Sequence, residues 1–172
     1  MKTHHPLIPA CNALSKAIEQ SGGNAQPALD MLLHLTFAAD AAREEIYRPL
    51  QTQAHLSEGK LLLLTVLHRA GGEMSSGMLA HHLGVTDATV SIMVSRMLKE
   101  SEPLVVRRVS KLDRRAVVVS ITPAGEDLLK SVLPRYSADI VAFSQSLTRS
   151  EQLLLTGLLK KLITSSTKTE NY

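Results

Sequence analysis

The sequence predicts a mainly α-helical protein with one small β-hairpin, on three observations. Apolar residues recur at helical intervals along most of the chain. That period gives way to strand-like, β-branched runs only at 104–109 and 116–121. Aromatic residues make up only 3% of the 172 residues, with no Trp, so the core must be built from Leu, Val, Ile, Met and Ala. Such a core suits close-packed helices better than a sandwich built on aromatic anchors. The length fits one domain with a sizeable core and is cramped for two.

Residues 1–26 read as an extension, with one short helix over Leu7 to Gln20 that Gly22-Gly23 would end. Pro27 suits the first turn of a longer helix, on which Leu29, Leu32, Leu33, Phe37, Ile46 and Leu50 fall at mostly helical spacing. Ser57 is an expected N-cap for a central helix from about Glu58 to Arg69, stopped by Gly71-Gly72. Two short helices follow. Ser75 can cap Ser76 to Leu83; after the tight Gly84-Val85 connection, Thr86 can cap Asp87 to about Glu100. In the second of these, Val90, Met93, Val94, Met97 and Leu98 form one inward stripe. Ala88, Thr89, Ile92, Ser95, Arg96 and Lys99 occupy the opposite side.

The two strand-like runs flank a polar, basic tip, Ser110 to Arg115. Thr122-Pro123 then supplies an N-cap and first-turn pair, with Glu126 and Asp127 following. The chain should break near Leu147, where Thr148 and Glu151 form a capping box. Beyond it Leu154, Leu155, Leu158, Leu159 and Leu162 make a stripe. The tail from Thr164 is polar and expected to fray.

Two short helices joined by a tight turn, then a basic hairpin, is the order of a winged helix-turn-helix. The charge distribution agrees. Residues 96–115 hold seven bases and three acids on an otherwise near-neutral chain, the footprint of a surface for a polyanion. Small Ala88, Thr89 and Ser91 at the start of the second helix would let its backbone into a major groove, and its dipole favours phosphate there. The hairpin's guanidinium groups suit the narrow, strongly negative minor groove of A·T-rich DNA. The DNA-facing set read from this pattern is Ser75, Ser76, Thr86, Ala88, Thr89, Ser91, Ile92, Ser95, Arg96, Lys99, Lys111, Asp113, Arg114 and Arg115.

Leu104-Val-Val-Arg-Arg108, then Asp113-Arg-Arg-Ala-Val-Val-Val-Ser-Ile-Thr-Pro-Ala-Gly125, resembles the wing and following strand of the multiple antibiotic resistance regulator (MarR) family. The segment from Leu79 to Met97 is similar to the helix-turn-helix of the same family, and Thr89 falls on one of its DNA-facing positions. The resemblance spans roughly residues 28–163, with the specific motifs within 75–125. It implies a winged helix-turn-helix plus a helical dimerisation region, working as a homodimer on a pseudo-palindromic duplex operator. The division it implies is 1–26 extension, 27–56 dimerisation helix, 57–122 DNA-binding domain, 123–164 C-terminal dimerisation helices and 165–172 flexible tail. It further implies a repressor released by a small ligand such as a phenolic acid. By position, Arg115 would enter the minor groove, Arg114 would contact phosphate or support the wing, and Asp113 would orient one of the arginines.

Three features depart from the family pattern. Ser101-Glu102-Pro103 replaces a short Gly-containing link. Ile92 stands where relatives often carry a base, and could instead touch a thymine methyl. The N-terminal extension is longer than usual.

The family's usual effector cleft lies between the dimer helices and the winged lobe, and Phe37, Arg43, Tyr47 and His68 are the residues expected to line it for a small aromatic effector. A redox-responsive regulator on Cys11, the only cysteine, is an alternative of the same fold, although no base beyond Lys16 lies near to lower its pKa. A metal-responsive one finds no His-x3-His spacing among the seven histidines. A winged-helix protein-interaction module would tolerate acids at Arg114 and Arg115. A small enzyme has no nucleophile elbow or phosphate-cradling loop to support it, so the chain is expected to be no enzyme and to need no cofactor or metal. With no long apolar run and one cysteine, no membrane partner and a cytoplasmic location are expected.

Overall fold

The computed structural model describes Lys16 and residues 26–109 and 117–167. Calls on Cys11, on the helix over 7–20 apart from Lys16, and on the wing tip Lys111, Asp113, Arg114 and Arg115 lie outside the described residues. The chain divides into two compact units, residues 1–45 and 46–172.

In the first unit, α1 (Gln26–Ala42) begins around Pro27 as expected, buries Leu29 and exposes Met31, Leu32 and Leu35. The helix expected to run unbroken to Leu50 instead passes through a π-helical turn, Arg43–Tyr47, and resumes as α2 (Arg48–Ala54). Pro49 explains the change. It has no N–H and clashes with the carbonyl four residues back inside a regular helix, but is tolerated in the first turn of a new one.

The second unit holds the core. In α3 (Glu58–Arg69) the Ser57 hydroxyl accepts from the Lys60 backbone N–H, and Leu61, Leu63, Leu64 and Leu67 are buried. Leu62 is exposed, so this helix is buried on most sides but not all. Gly71 and Gly72, at φ 84° and 100°, occupy the left-handed region that ends it. Then come α4 (Ser76–Leu83), α5 (Asp87–Met97) and a strand pair, β2 (Val105–Val109) and β3 (Val117–Ile121). The expected hairpin is present and gains a third strand, β1 (Glu73–Ser75). Three residues are too few to show alternation in a sequence. The sheet is antiparallel with order β1-β3-β2, pairing Glu73 with Ser120 and Arg107 with Val119.

One core cluster joins Leu56 and Leu61, Leu63, Leu64 and Leu67 of α3 to Leu79 of α4 and to Val90, Val94 and Met97 of α5. It continues into Val105 and Val119 of the sheet and Leu129 of α6 (Pro123–Ser144). All of these are at most 2% exposed. Burying each such side chain is worth about 1.5–3 kcal/mol, so the two short helices and the sheet are locked as one body.

The join between sheet and α6 is equally specific. Thr122 caps α6 by accepting from the Gly125 N–H at 3.1 Å and donates its hydroxyl to the Pro103 carbonyl at 2.7 Å. Beyond it, α7 (Arg149–Thr167) opens on the expected capping box. The Glu151 carboxylate accepts from the Thr148 N–H at 2.7 Å and hydroxyl at 2.8 Å, which holds it below the usual carboxylate pKa. Helix α7 runs to Thr167, three residues past the point where the tail was expected to begin fraying.

Candidate nucleic-acid interface

Local rules set the two short helices. Ser75 accepts from the Met78 N–H at 3.3 Å to start α4, and Gly84, at φ 65°, ends it in the left-handed conformation glycine favours. The Val85 N–H donates back to the Ala80 carbonyl at 3.1 Å, which fixes the turn. Thr86 accepts from the Thr89 N–H at 3.2 Å, and the two hydroxyls lie 2.9 Å apart. Thr89 is therefore both on the outward side and tied into the cap. Thr86→Ala is expected to cost about 1 kcal/mol, seen as a lower urea midpoint at unchanged slope.

With Val90, Val94 and Met97 buried, the face of α5 left over is the one the sequence indicated. Thr86, Ala88, Thr89, Ser91, Ile92, Arg96 and Lys99 are exposed, and Ser95 is half-buried. Two hollows flank this face. The first, about 590 Å³, brings Ser75, Ser76 and Gly77 of the α4 start together with Asp87, Ala88 and Ser91 of α5 and with Arg107 and Val117 of the sheet. The second is shallower and joins Ser91, Ile92, Ser95, Arg96 and Lys99. Ser91 lines both, so the two form one continuous surface.

Arg107 was not among the residues singled out from the sequence. The signal was present in strand alternation. Arg107 pairs with buried Val119 and lies two residues from buried Val105, so it shares the inner face of the sheet and emerges beside α5. Its neighbour Arg108 lies on the other face, where the Glu73 carboxylate takes both its guanidinium and the Ser120 hydroxyl, the latter at 3.2 Å. This network crosses all three strands and so holds β1 and β2 to β3.

Electrostatics sort the bases accordingly. Arg96, Lys99 and Arg107 form no ion pair with any described residue, whereas Arg108 pairs with Glu73 and Lys60 with Glu100. Three cations without an ion pair to a described residue therefore border α5. Asp87 sits among them at the α5 N-terminus, where the helix dipole favours it.

The four residues expected to meet an effector divide between the two units. Phe37 and Arg43 belong to the first, where Arg43 donates to Asp40 at 2.9 Å. Tyr47 and His68 belong to the second, each with its own partner. The Tyr47 hydroxyl is 3.3 Å from that of Tyr136, and the His68 ring meets both Glu126 oxygens at 2.9 and 3.0 Å. Burial pushes the Tyr47 phenol well above its ordinary pKa, and the bond to Tyr136 and the charge of Glu58 add to the rise. Among the described residues no three His, Cys, Asp or Glu side chains converge on a metal position, and no helix is long and apolar enough to cross a membrane.

No protein-family model matches the chain. It is 30% identical over 91 residues to an uncharacterized HTH-type transcriptional regulator, YwaE of Bacillus subtilis, a match covering 53% of this chain and about half (52%) of that protein. It is 28% identical over 136 residues to a putative transcriptional regulatory protein for the hcr operon of Thauera aromatica, covering 79% of this chain and 80% of that one. Both are named as transcriptional regulators.

Among solved structures, AbsC, a MarR family transcriptional regulator from Streptomyces coelicolor, superposes with TM-score 0.74 at 20% identity over 85% of this chain and 97% of its own. Sco3205, a MarR family regulator from the same organism solved in complex with DNA, gives 0.71 at 21% identity over 79% and 86%. Bordetella bronchiseptica BpsR, whose DNA binding is regulated by 6-hydroxynicotinic acid, gives 0.64 at 23% over 77% and 98%. The chain has the winged-helix fold of the MarR family regulators.

Proposed function

We propose that this chain is a sequence-specific DNA-binding transcriptional regulator, acting as a homodimer on a pseudo-palindromic operator and repressing until a small aromatic ligand releases it. The observation that carries the reading is the α5 surface. A helix with small outward residues is bordered by Arg96, Lys99 and Arg107, none of them neutralised by a described residue. Such a helix can enter a major groove while its flanking cations take phosphates.

The wing tip extends this surface in the proposal. Arg115 reaches the minor groove, Arg114 contacts phosphate or supports the wing, Lys111 faces the DNA, and Asp113 orients one of the arginines. The dimer is supported by α7, which leaves Leu153, Leu154, Leu155, Leu158, Leu162 and Ile163 between 37% and 68% exposed. A row of that kind is covered in a working protein. In this reading 27–56 and 123–164 form the seam. Release by a small aromatic acid is supported by the likeness to BpsR, with Tyr47 and His68 of the second unit as residues proposed to meet it.

The test is a mobility-shift titration against the DNA upstream of the gene, repeated with a panel of phenolic acids. The expected dissociation constant is on the order of 10⁻⁸ M or tighter, at least about 10³ below that for unrelated duplex, with at least one acid dispersing the complex. Equal affinity for both duplexes would contradict specific recognition.

The two adjacent arginines make a sharper prediction. Arg107→Ala should weaken binding to all sequences and lower the salt dependence by about one counterion. Arg108→Ala should change the slope by much less, because Glu73 already occupies that guanidinium.

A further inference from the structure

Ile92 is the feature of the α5 surface that neither packing nor phosphate contact explains. It is 54% exposed while Val90 and Val94, on the same helix, are at most 2% exposed. A β-branched residue also lowers helix propensity relative to the Ala, Leu or Arg that an outward position would take. Its neighbours in the shallow hollow are Ser91 and Ser95, short enough not to hold a partner away, and Arg96 and Lys99. The hollow thus pairs one apolar branch with two cations, a chemistry matched by the wall of a major groove. There the phosphates are anionic and the one apolar group on a base edge is the 5-methyl of thymine.

We propose that Ile92 is a specificity-determining residue that reads a thymine methyl in each half-site. This rests on the DNA-binding reading above and adds which base the α5 surface prefers. Arg96 and Lys99 position the helix through the backbone, and Ile92 packs its branch on the methyl. Cytosine offers no such group at that place, and an A·T pair read from the adenine side puts an N6 donor against the apolar branch.

The test isolates one methyl group. A duplex is selected from a random pool by the full-length protein, and each thymine of one half-site is replaced in turn by deoxyuridine, which differs only in lacking the 5-methyl. Affinities are measured for the wild type, for Ile92→Ala, and for Val106→Ala as a control, an exposed apolar side chain on the sheet face that carries Arg108. The expected result is one position at which uracil weakens the wild type and Val106→Ala by about fourfold, the effect of one buried methyl-sized group, while Ile92→Ala is unaffected there. Equal losses in wild type and Ile92→Ala at every position, or no loss at any, overturn the assignment and leave DNA binding standing. A pool from which no duplex is enriched overturns both.

Discussion

Gly125→Ala is expected to destabilise the fold by about 3 kcal/mol, against the ordinary rule that alanine in place of glycine stabilises a helix by about 1 kcal/mol. A Cβ at this position would stand 2.3 Å from the Leu104 carbonyl oxygen and 2.9 Å from Ile121 Cγ1. The isoleucine side chain can shift, but the carbonyl cannot. It is backbone, and it accepts the Thr122 N–H at 3.1 Å, so moving it breaks the bond that closes β3 onto the link before β2. This glycine is thus required for close approach rather than for its torsion freedom. Urea unfolding of the full chain reads the effect. An unchanged or higher midpoint would show that the contact between Leu104 and the first turn of α6 is not tight.

A second large effect is expected at the row of leucines on α7. The double variant Leu154→Lys, Leu158→Lys places two charges on side chains that are 64% and 49% exposed in the single chain, so folding of the protomer should be unaffected. If the row is the seam of a homodimer, sedimentation should show a monomer with undiminished helical signal. Affinity for a two-half-site duplex should fall by about 10² or more, since the second winged lobe no longer binds at the effective concentration set by the first. A variant that remains dimeric places the seam elsewhere.

Much of this architecture could be read in the sequence because it is set locally. Ser57, Ser75, Thr86 and Thr122 each accept the backbone N–H that a cap must, and the glycines at 71, 72 and 84 take the torsions that end helices. The stripe Val90-Val94-Met97 fixed which face of α5 remained outward, so most of the expected contact residues lie on one surface. What was not legible depends on pairing between distant segments. Strand β1 exists only because Glu73, Met74 and Ser75 meet Ser120, Val119 and Val118. Strand alternation puts Arg107 and Arg108 on opposite faces, but only the sheet register and Glu73 decide which is the cation beside α5 and which is neutralised on the far face. The π turn is a third case, in which Pro49 reshaped a helix whose apolar spacing gave no sign of interruption.

Chemical protection of the DNA in the complex tests the central claim most directly. If two copies of α5 lie in successive major grooves, guanine N7 atoms should be shielded from methylation in two blocks on one face of the duplex, about 34–36 Å apart centre to centre. Protection confined to a single block, or duplex binding that leaves every N7 reactive, would contradict it.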